Sequence, residues 1–273
     1  PLDVKQQEFF AAFGLPVYQG YGLTEATPII SSNSPARHKF GSSGMVLANV
    51  ECTLRRPDGS LVGRGETGEI VIRGDNVMKG YFRNPEASAA ALRDGWLWTG
   101  DLARWDEDGF LVVVGREKAL LIAEDGEKYS PEDIEEAIGF STDLIDQVMA
   151  SCEQKKFTIA LVTLDEAKVK RLMSARGIAS AEDLLGLLKE EFYRFKTDPK
   201  AKKVQSNWIP AAFHILGEAW SDRDGTVNST MKIVRHRIAT VHRERIEYAY
   251  TSEGSRTENP RNLETLRALF RLP

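Results

Sequence analysis

The sequence predicts an α+β protein in which a β-rich stretch comes first and a mixed α+β stretch follows. Three observations carry this. Between about residues 40 and 80, GMVLANVECTLRR and GETGEIVIRG read as strands on either side of a PDGS turn. A second β pattern, WLWTGDLARWDEDGFLVVVGREKALLIA, follows with an EDG turn at 107–109. After it, SPEDIEEAI (130–138) opens on Ser, Pro and acids, the marks of a helix N-terminus, and strand and helix patterns mix from there on.

The elements follow in order. KQQEFFAAF (5–13) reads as the end of a helix stopped by Gly14, and VYQGYG as a short buried strand running into a turn. PEASAAALR (85–93) is a helix with Pro first. Residues 96–123 hold three strands, with apolar runs at LVVV and ALLIA that need cover on both faces. IDQVMASC and KFTIALVTL are strands. DEAKVKRLMSARG and SAEDLLGLLKEEFYRF are helices, and Leu184, Leu188, Phe192 and Phe195 of the second make one core stripe. WIPAAFHIL is a strand, STMKIVRHRIATVHRERIEYAY a highly charged helix, and TSEGSRTENPRN a polar, mobile or surface-wrapping tail. The handover between the two stretches is expected at GREK (115–118).

Composition narrows the function class. The chain has 273 residues, 42% hydrophobic and 28% charged, with a net charge of −4, so it carries no basic footprint for nucleic acid or a polybasic membrane anchor. Cys52 and Cys152 lack metal spacing and build no disulfide framework, which fits a reducing cytoplasm. No apolar run reaches the roughly 18 residues of a membrane span. Peripheral membrane contact stays open.

Taken singly, the candidate site residues are modest. Tyr21-Gly22-Leu23-Thr24-Glu25 offers a glycine for close backbone approach, a hydroxyl for a phosphate and a carboxylate for Mg²⁺, or simply a turn with a capping Thr. Asp101, in Thr99-Gly100-Asp101, suits the two hydroxyls of a ribose or caps a turn. Arg116 suits a ribose or phosphate, or is a surface charge. Lys232, in Ser229-Thr230-Met231-Lys232-Ile233, reads alone as a solvated lysine.

Order and combination change that reading. YGLTE, GETGEI, KGYFRNPEAS, WLWTGDLARWDEDGFLVVVGR, EDGEKYSPEDIEEAI and NSTMKIVR occur in sequence from N- to C-terminus. Together they resemble the C-terminal half of the adenylate-forming (AMP-binding) superfamily, over about residues 14–245. GEKYSPEDIE and the S-T-M-K-I motif are most similar to long-chain fatty acyl-CoA synthetases. The resemblance implies that residues 1–117 are the C-terminal part of the large AMP-binding domain, with its β-rich subdomain. It makes 118–250 the small mobile α+β domain and 251–273 a tail.

The family joins a carboxylate to ATP as an acyl-adenylate, then passes the acyl group to a thiol, usually coenzyme A. The resemblance therefore implies ATP, fatty acid and CoA as substrates and Mg²⁺ as cofactor. It implies Tyr21 packing on adenine, Gly22 and Thr24 at the phosphates, Glu25 on Mg²⁺, Asp101 on the ribose with Arg116 assisting, and Lys232 as the adenylation lysine. Lys118 stands at the hinge, and Gly126 and Lys128 belong to the loop lining the CoA channel. The family's phosphate loop has no counterpart in residues 1–20, so the expectation is a fragment, inactive without the N-terminal part of the same protein. Loading of a carrier protein and a non-catalytic nucleotide- or partner-binding module are the alternatives.

Overall fold

The computed structural model describes every residue except Pro1, Asp3, Pro199, Lys200, Lys202, Lys203 and Thr230, and the side chain of Lys118. The hinge side chain and the Thr of the lysine motif thus lie outside the described residues. The chain divides into two compact units, Pro1–Lys118 and Ala119–Pro273.

The first unit begins with helix α1 (Val4–Ala12), closed by Gly14 at φ +73°. β1 (Gly20–Gly22), β2 (Ile29–Ser32) and β3 (Met45–Val46) form a small antiparallel sheet. The larger sheet runs β4 (Val50–Arg55), β5 (Gly68–Gly74), β7 (Trp96–Trp105), β6 (Leu92–Arg93), with β8 (Leu111–Arg116) also paired to β7. Helix α2 (Pro85–Ala91) is capped by Asn84, whose side chain accepts from the Ala87 N–H. It stops two residues earlier than expected because Leu92 and Arg93 leave it to pair with Leu97 and Trp96. Ile30, Leu54, Ile70, Ile72, Leu97 and Leu111 close the core between the sheets. Strand alternation places these apolar groups on one face, as period-2 geometry requires.

The second unit starts with the hairpin β9 (Leu121–Ala123) and β10 (Lys128–Tyr129), extended by β12 (Glu153–Lys155) in parallel with β9. Helix α3 (Pro131–Ser141) follows. Its Ser130 hydroxyl donates to the Glu132 carboxylate rather than capping the backbone. β11 (Ile145–Ser151), β13 (Ile159–Leu164) and β14 (Ala212–Ile215) make the central sheet, β13 in the middle with every residue but the last buried. Helix α4 (Glu166–Arg176) ends on Gly177 in the left-handed conformation, and α5 (Ala181–Phe192) begins at Ser180, whose hydroxyl accepts from the Asp183 N–H. Leu184, Leu188, Phe192 and Phe195 are all buried, so the predicted stripe is core.

Two expectations fail here. Residues 229–250 do not form one helix: α6 (Arg235–Val241) and α7 (Arg243–Ala249) are separated at His242, and the lysine motif lies ahead of both on a turn. Met231 sits at φ +60°, which no helix accommodates. Residues 251–273 are not simply a tail either. Asn259 caps helix α8 (Pro260–Phe270), Leu266 enters the core, and buried Asn262 bridges β14 by accepting from the Ile215 N–H and donating to the Phe213 carbonyl. Low overall hydropathy concealed this segment because its anchors are one leucine stripe and one buried amide.

Candidate functional site

The YGLTE stretch is built by close backbone approach. A Cβ on Gly22 would lie 1.7 Å from the Pro28 carbonyl oxygen, so no other residue closes this turn against β2. A 3₁₀ turn over Thr24–Ala26 follows and ends at Thr27, in the left-handed region. Three hydrogen bonds pin it to the loop after β5. Asn76 Nδ2 donates to the Ala26 carbonyl (2.9 Å), Thr27 Oγ1 to the Asn76 carbonyl (2.7 Å), and the Met78 N–H to the Glu25 carbonyl (2.8 Å). Ala26 is buried beneath, which leaves Thr24 exposed and Glu25 half-buried. The Tyr81 hydroxyl donates to Glu25 Oε1 at 2.9 Å.

Asp101 stands beside this turn, 80 residues on in sequence. Tyr21 donates its hydroxyl to Asp101 Oδ2 at 2.6 Å, and Arg116 donates Nε–H to Oδ1 at 3.0 Å. Asp101 and Arg116 are register partners on β7 and β8. Gly100, at φ +71°, and the Thr99 hydroxyl, which accepts from the Asp101 N–H, set the strand irregularity that aims the carboxylate. Asp101 is only 6% exposed, whereas the Arg116 side chain is 70% exposed. Burial, and then the negative charge of Asp101, holds the Tyr21 phenol far above the usual tyrosine range, so it stays protonated and donates. Each carboxylate oxygen keeps a further acceptor site. The structure thus brings Tyr21, Asp101 and Arg116 into one hydrogen-bonded group, with Thr24 and Glu25 on the adjoining turn.

Of the other candidates, Lys118 is the last residue of the first unit, and Gly126, Lys128 and Lys232 lie in the second. Gly126 is exposed at φ +87° in the β9–β10 hairpin, where its N–H donates to the Ala123 carbonyl at 3.0 Å. Lys128 is exposed on β10 opposite Ile122. Lys118 lies in the 3₁₀ turn Glu117–Ala119. Lys232 is exposed at the end of a tight turn spanning an antiparallel bridge between Val227 and Ile233. The turn is held through its backbone: the Lys232 N–H donates to Asn228 Oδ1 and its carbonyl accepts from the Asn228 N–H, both at 2.9 Å. No described residue forms an ion pair with the Lys232 ammonium.

Comparison with known proteins matches this geometry to a family. Residues 1–82 match the model of the AMP-binding enzyme family. A putative fatty-acid–CoA ligase of Mycobacterium tuberculosis is 30% identical over 93% of the chain and 43% of its own length. A long-chain-fatty-acid–CoA ligase of Xenopus laevis is 28% identical over 95% of the chain and 37% of its own length. The O-succinylbenzoate CoA synthetase of Bacillus subtilis, solved with its acyl-adenylate intermediate, superposes with a TM-score of 0.65 at 30% identity, covering 87% of this chain and 44% of that one. The same synthetase solved with ATP and magnesium superposes with a TM-score of 0.64 at 30% identity, over 86% and 44% of the two chains.

Residues 1–82 thus match the AMP-binding enzyme family, and most of the chain is similar in sequence and structure to adenylate-forming ligases. The chain spans less than half the length of the curated relatives it matches. Its mixed α/β architecture, with curled antiparallel sheets, matches the C-terminal part of adenylate-forming enzymes.

Within that frame the sequence reading missed Tyr81 and Asn76. Both support the YGLTE turn from more than 48 residues away, |i−j| being 56 for the Tyr81–Glu25 bond and 50 for Asn76–Ala26. Tyr81 lies inside the KGYFRNPEAS motif, so a signal was present, but nothing local says which carboxylate its hydroxyl meets.

Proposed function

We propose that the chain carries the nucleotide-binding face and the mobile domain of an ATP-dependent fatty acid–CoA ligase, with division at Lys118. The observation that carries this reading is the Tyr21–Asp101–Arg116 group beside the YGLTE turn. Asp101 is a fixed, buried acceptor for ribose hydroxyls, with Arg116 exposed at its side. The Tyr21 ring packs on adenine, and Thr24 contacts phosphate with Gly22 leaving the backbone open to it.

The donor set fits Mg²⁺. Among the described residues no group of three or more metal-ligating side chains exists. A hard cation that keeps several waters and takes one or two carboxylates plus substrate phosphates needs no more than Glu25. Bound there, it would neutralise phosphate charge. Tyr81 orients the Glu25 carboxylate.

Adenylation brings a carboxylate up to a triphosphate, and Lys232 offsets the repulsion between the two anions as charge builds in the in-line transition state. The fatty acid attacks the α-phosphorus, pyrophosphate leaves, and the CoA thiol later displaces AMP from the acyl carbon. Between these two steps, rotation about Lys118 presents Gly126 and Lys128 to the pantetheine, the glycine allowing close backbone approach. The cytoplasm is the compartment for this chemistry. Among the described residues no helix is long and apolar enough to cross a membrane.

Fatty-acid-dependent ATP–pyrophosphate exchange tests the reading. The expected result is none with this chain alone, and exchange once it is expressed behind a phosphate-loop segment of an adenylate-forming relative. Robust exchange by the chain alone would overturn the expectation that it is inactive by itself. Absence of exchange in the extended protein would overturn the ligase reading.

A further inference from the structure

The Lys232 turn and the CoA-channel hairpin are separated by about a hundred residues of sequence, yet one buried ion pair stands between them. Arg235 is the first residue of α6, three positions after Lys232, and Glu135 lies in the middle of α3. The guanidinium donates two parallel hydrogen bonds to the carboxylate, at 2.8 Å and 2.5 Å. Glu135 Oε1 also accepts the Ala150 N–H of β11 at 2.7 Å. The side chains are 12% and 21% exposed, so the pair is largely out of water. Burial pushes the Glu135 carboxyl up to about 7 against the pull of Arg235 and the Ala150 N–H.

This pair is costly for a domain that needed only stability. Buried ion pairs are often replaced by apolar residues at little or no loss, whereas removing one partner is strongly destabilising. Their best-attested use is to fix one arrangement. The arrangement fixed here is visible. On one side, Val234 donates its N–H to the Thr226 carbonyl at 2.8 Å and closes the foot of the lysine turn, with Arg235 next in line. On the other side, Arg235 also approaches Glu132 at 3.6 Å, and Glu132 accepts from Ser130, the residue after β10. The same guanidinium therefore joins the foot of the Lys232 turn to the base of the Gly126–Lys128 hairpin through α3.

We propose that Arg235 and Glu135 are positioning residues that lock the Lys232 turn to α3 and β11, so that the adenylation lysine and the CoA-channel hairpin are carried as one rigid body. The functional half of this statement rests on the reading of Lys232 as the adenylation lysine. Its physical logic is that an exposed lysine on a five-residue turn has a defined place only if the turn itself is fixed. A misplacement of about 1 Å costs about 10²-fold in rate.

The test uses Glu135→Gln/Arg235→Met. It removes both charges, keeps an acceptor for the Ala150 N–H in an isosteric side chain at 135, and leaves an unbranched apolar chain at 235. Arg235→Lys serves as a second variant, keeping the charge without the planar fork. In the chain itself, the expected result is an unchanged melting temperature with amide exchange at Lys232 and Val234 raised about tenfold. Unchanged exchange at both amides in either variant overturns the lock.

In the extended ligase, the expected result is an adenylation kcat lowered about 10–10²-fold with KM for ATP unchanged. Thioester formation from preformed acyl-adenylate should keep its rate, because that step does not use Lys232. An equal loss in both half-reactions together with a lower melting temperature would reduce the pair to a purely structural one and overturn the positioning role. Lys232→Ala separates the two layers. If it leaves adenylation intact, the reading of Lys232 falls, while the exchange measurement still decides whether the pair holds the turn.

Discussion

The two units hold their candidate functional groups in opposite ways. In the first, side chain holds side chain: Tyr21 and Arg116 grip Asp101, and Tyr81 grips Glu25. The carboxylates arrive oriented, with the reorganisation already done. In the second, among the described residues, Lys232 is held through its backbone alone, by Asn228 and the Val227–Ile233 bridge, and it stands on an exposed turn. The difference matches the work proposed for each. A nucleotide that stays through both half-reactions is served by a fixed cradle. A cation used in one half-reaction and then withdrawn must carry no partner that would hold it back.

The largest effect should come from the exposed end of this contrast. Lys232→Ala is expected to lower adenylation by on the order of 10²–10³-fold, as removal of a transition-state donor does. Thioester formation from supplied acyl-adenylate should be unaffected, and single-turnover rates for the two half-reactions check both. A loss shared equally between them would break the contrast.

Acid should separate the units next. His214 is fully buried on β14, facing Tyr248 with Arg245 and Arg261 nearby. Burial first, then the Arg245 charge, lowers it to about 4 from an ordinary value of 6.5. Between those values the unfolded chain binds the proton and the folded chain does not. The His214 contribution to stability is therefore full above about pH 6.5 and is lost as pH drops towards 4, by about 3 kcal/mol in all, while Glu135, held up to about 7, contributes in the opposite direction over much of the same range. Urea unfolding across this range should show wild-type stability falling more on acidification than that of His214→Leu, the difference between the two being the His214 contribution. An identical slope in both would place the acid sensitivity elsewhere.

Smaller effects test the cradle. Asp101→Asn removes an ionised acceptor, and hydrogen bonds to charged groups contribute about 1.5–3 kcal/mol, so AMP binding should weaken by about tenfold or more. Tyr21→Phe keeps the ring and loses only the strap on Oδ2, for about 1 kcal/mol, or roughly fivefold. Calorimetric titration of AMP into the extended ligase reads both. If Tyr21→Phe costs as much as Asp101→Asn, the orientation of the carboxylate matters more than its charge.

Much of the architecture was legible without coordinates. Gly14, Pro85, Ser180 and Gly177 mark helix ends by chemistry acting over a few residues, and the PDGS and EDG turns mark hairpins in the same way. Candidate site residues were legible through the order of six motifs rather than through any one of them. Where the reading failed, a local rule met a competing local bond. STMKIVR has helix-like composition, but the Asn228 side chain captures the Lys232 N–H and Met231 turns left-handed, so the helix waits until Arg235. The polar segment 251–273 resembled a tail because its docking depends on one buried amide, Asn262, meeting the β14 backbone 47 and 49 residues away.

The sequence by itself determined the family motifs, the α+β class, most helix and strand positions, and the stripe of Leu184, Leu188, Phe192 and Phe195. These follow from periodicity, capping and turn chemistry, which act within a few residues. Only the tertiary structure decided that Tyr21 donates to Asp101, that Tyr81 meets Glu25, and that Arg235 pairs with Glu135 across 100 positions. Those pairings depend on strand register and on how a helix sits against a sheet, and a side chain carries no mark of its distant partner until the backbone has brought the two within reach.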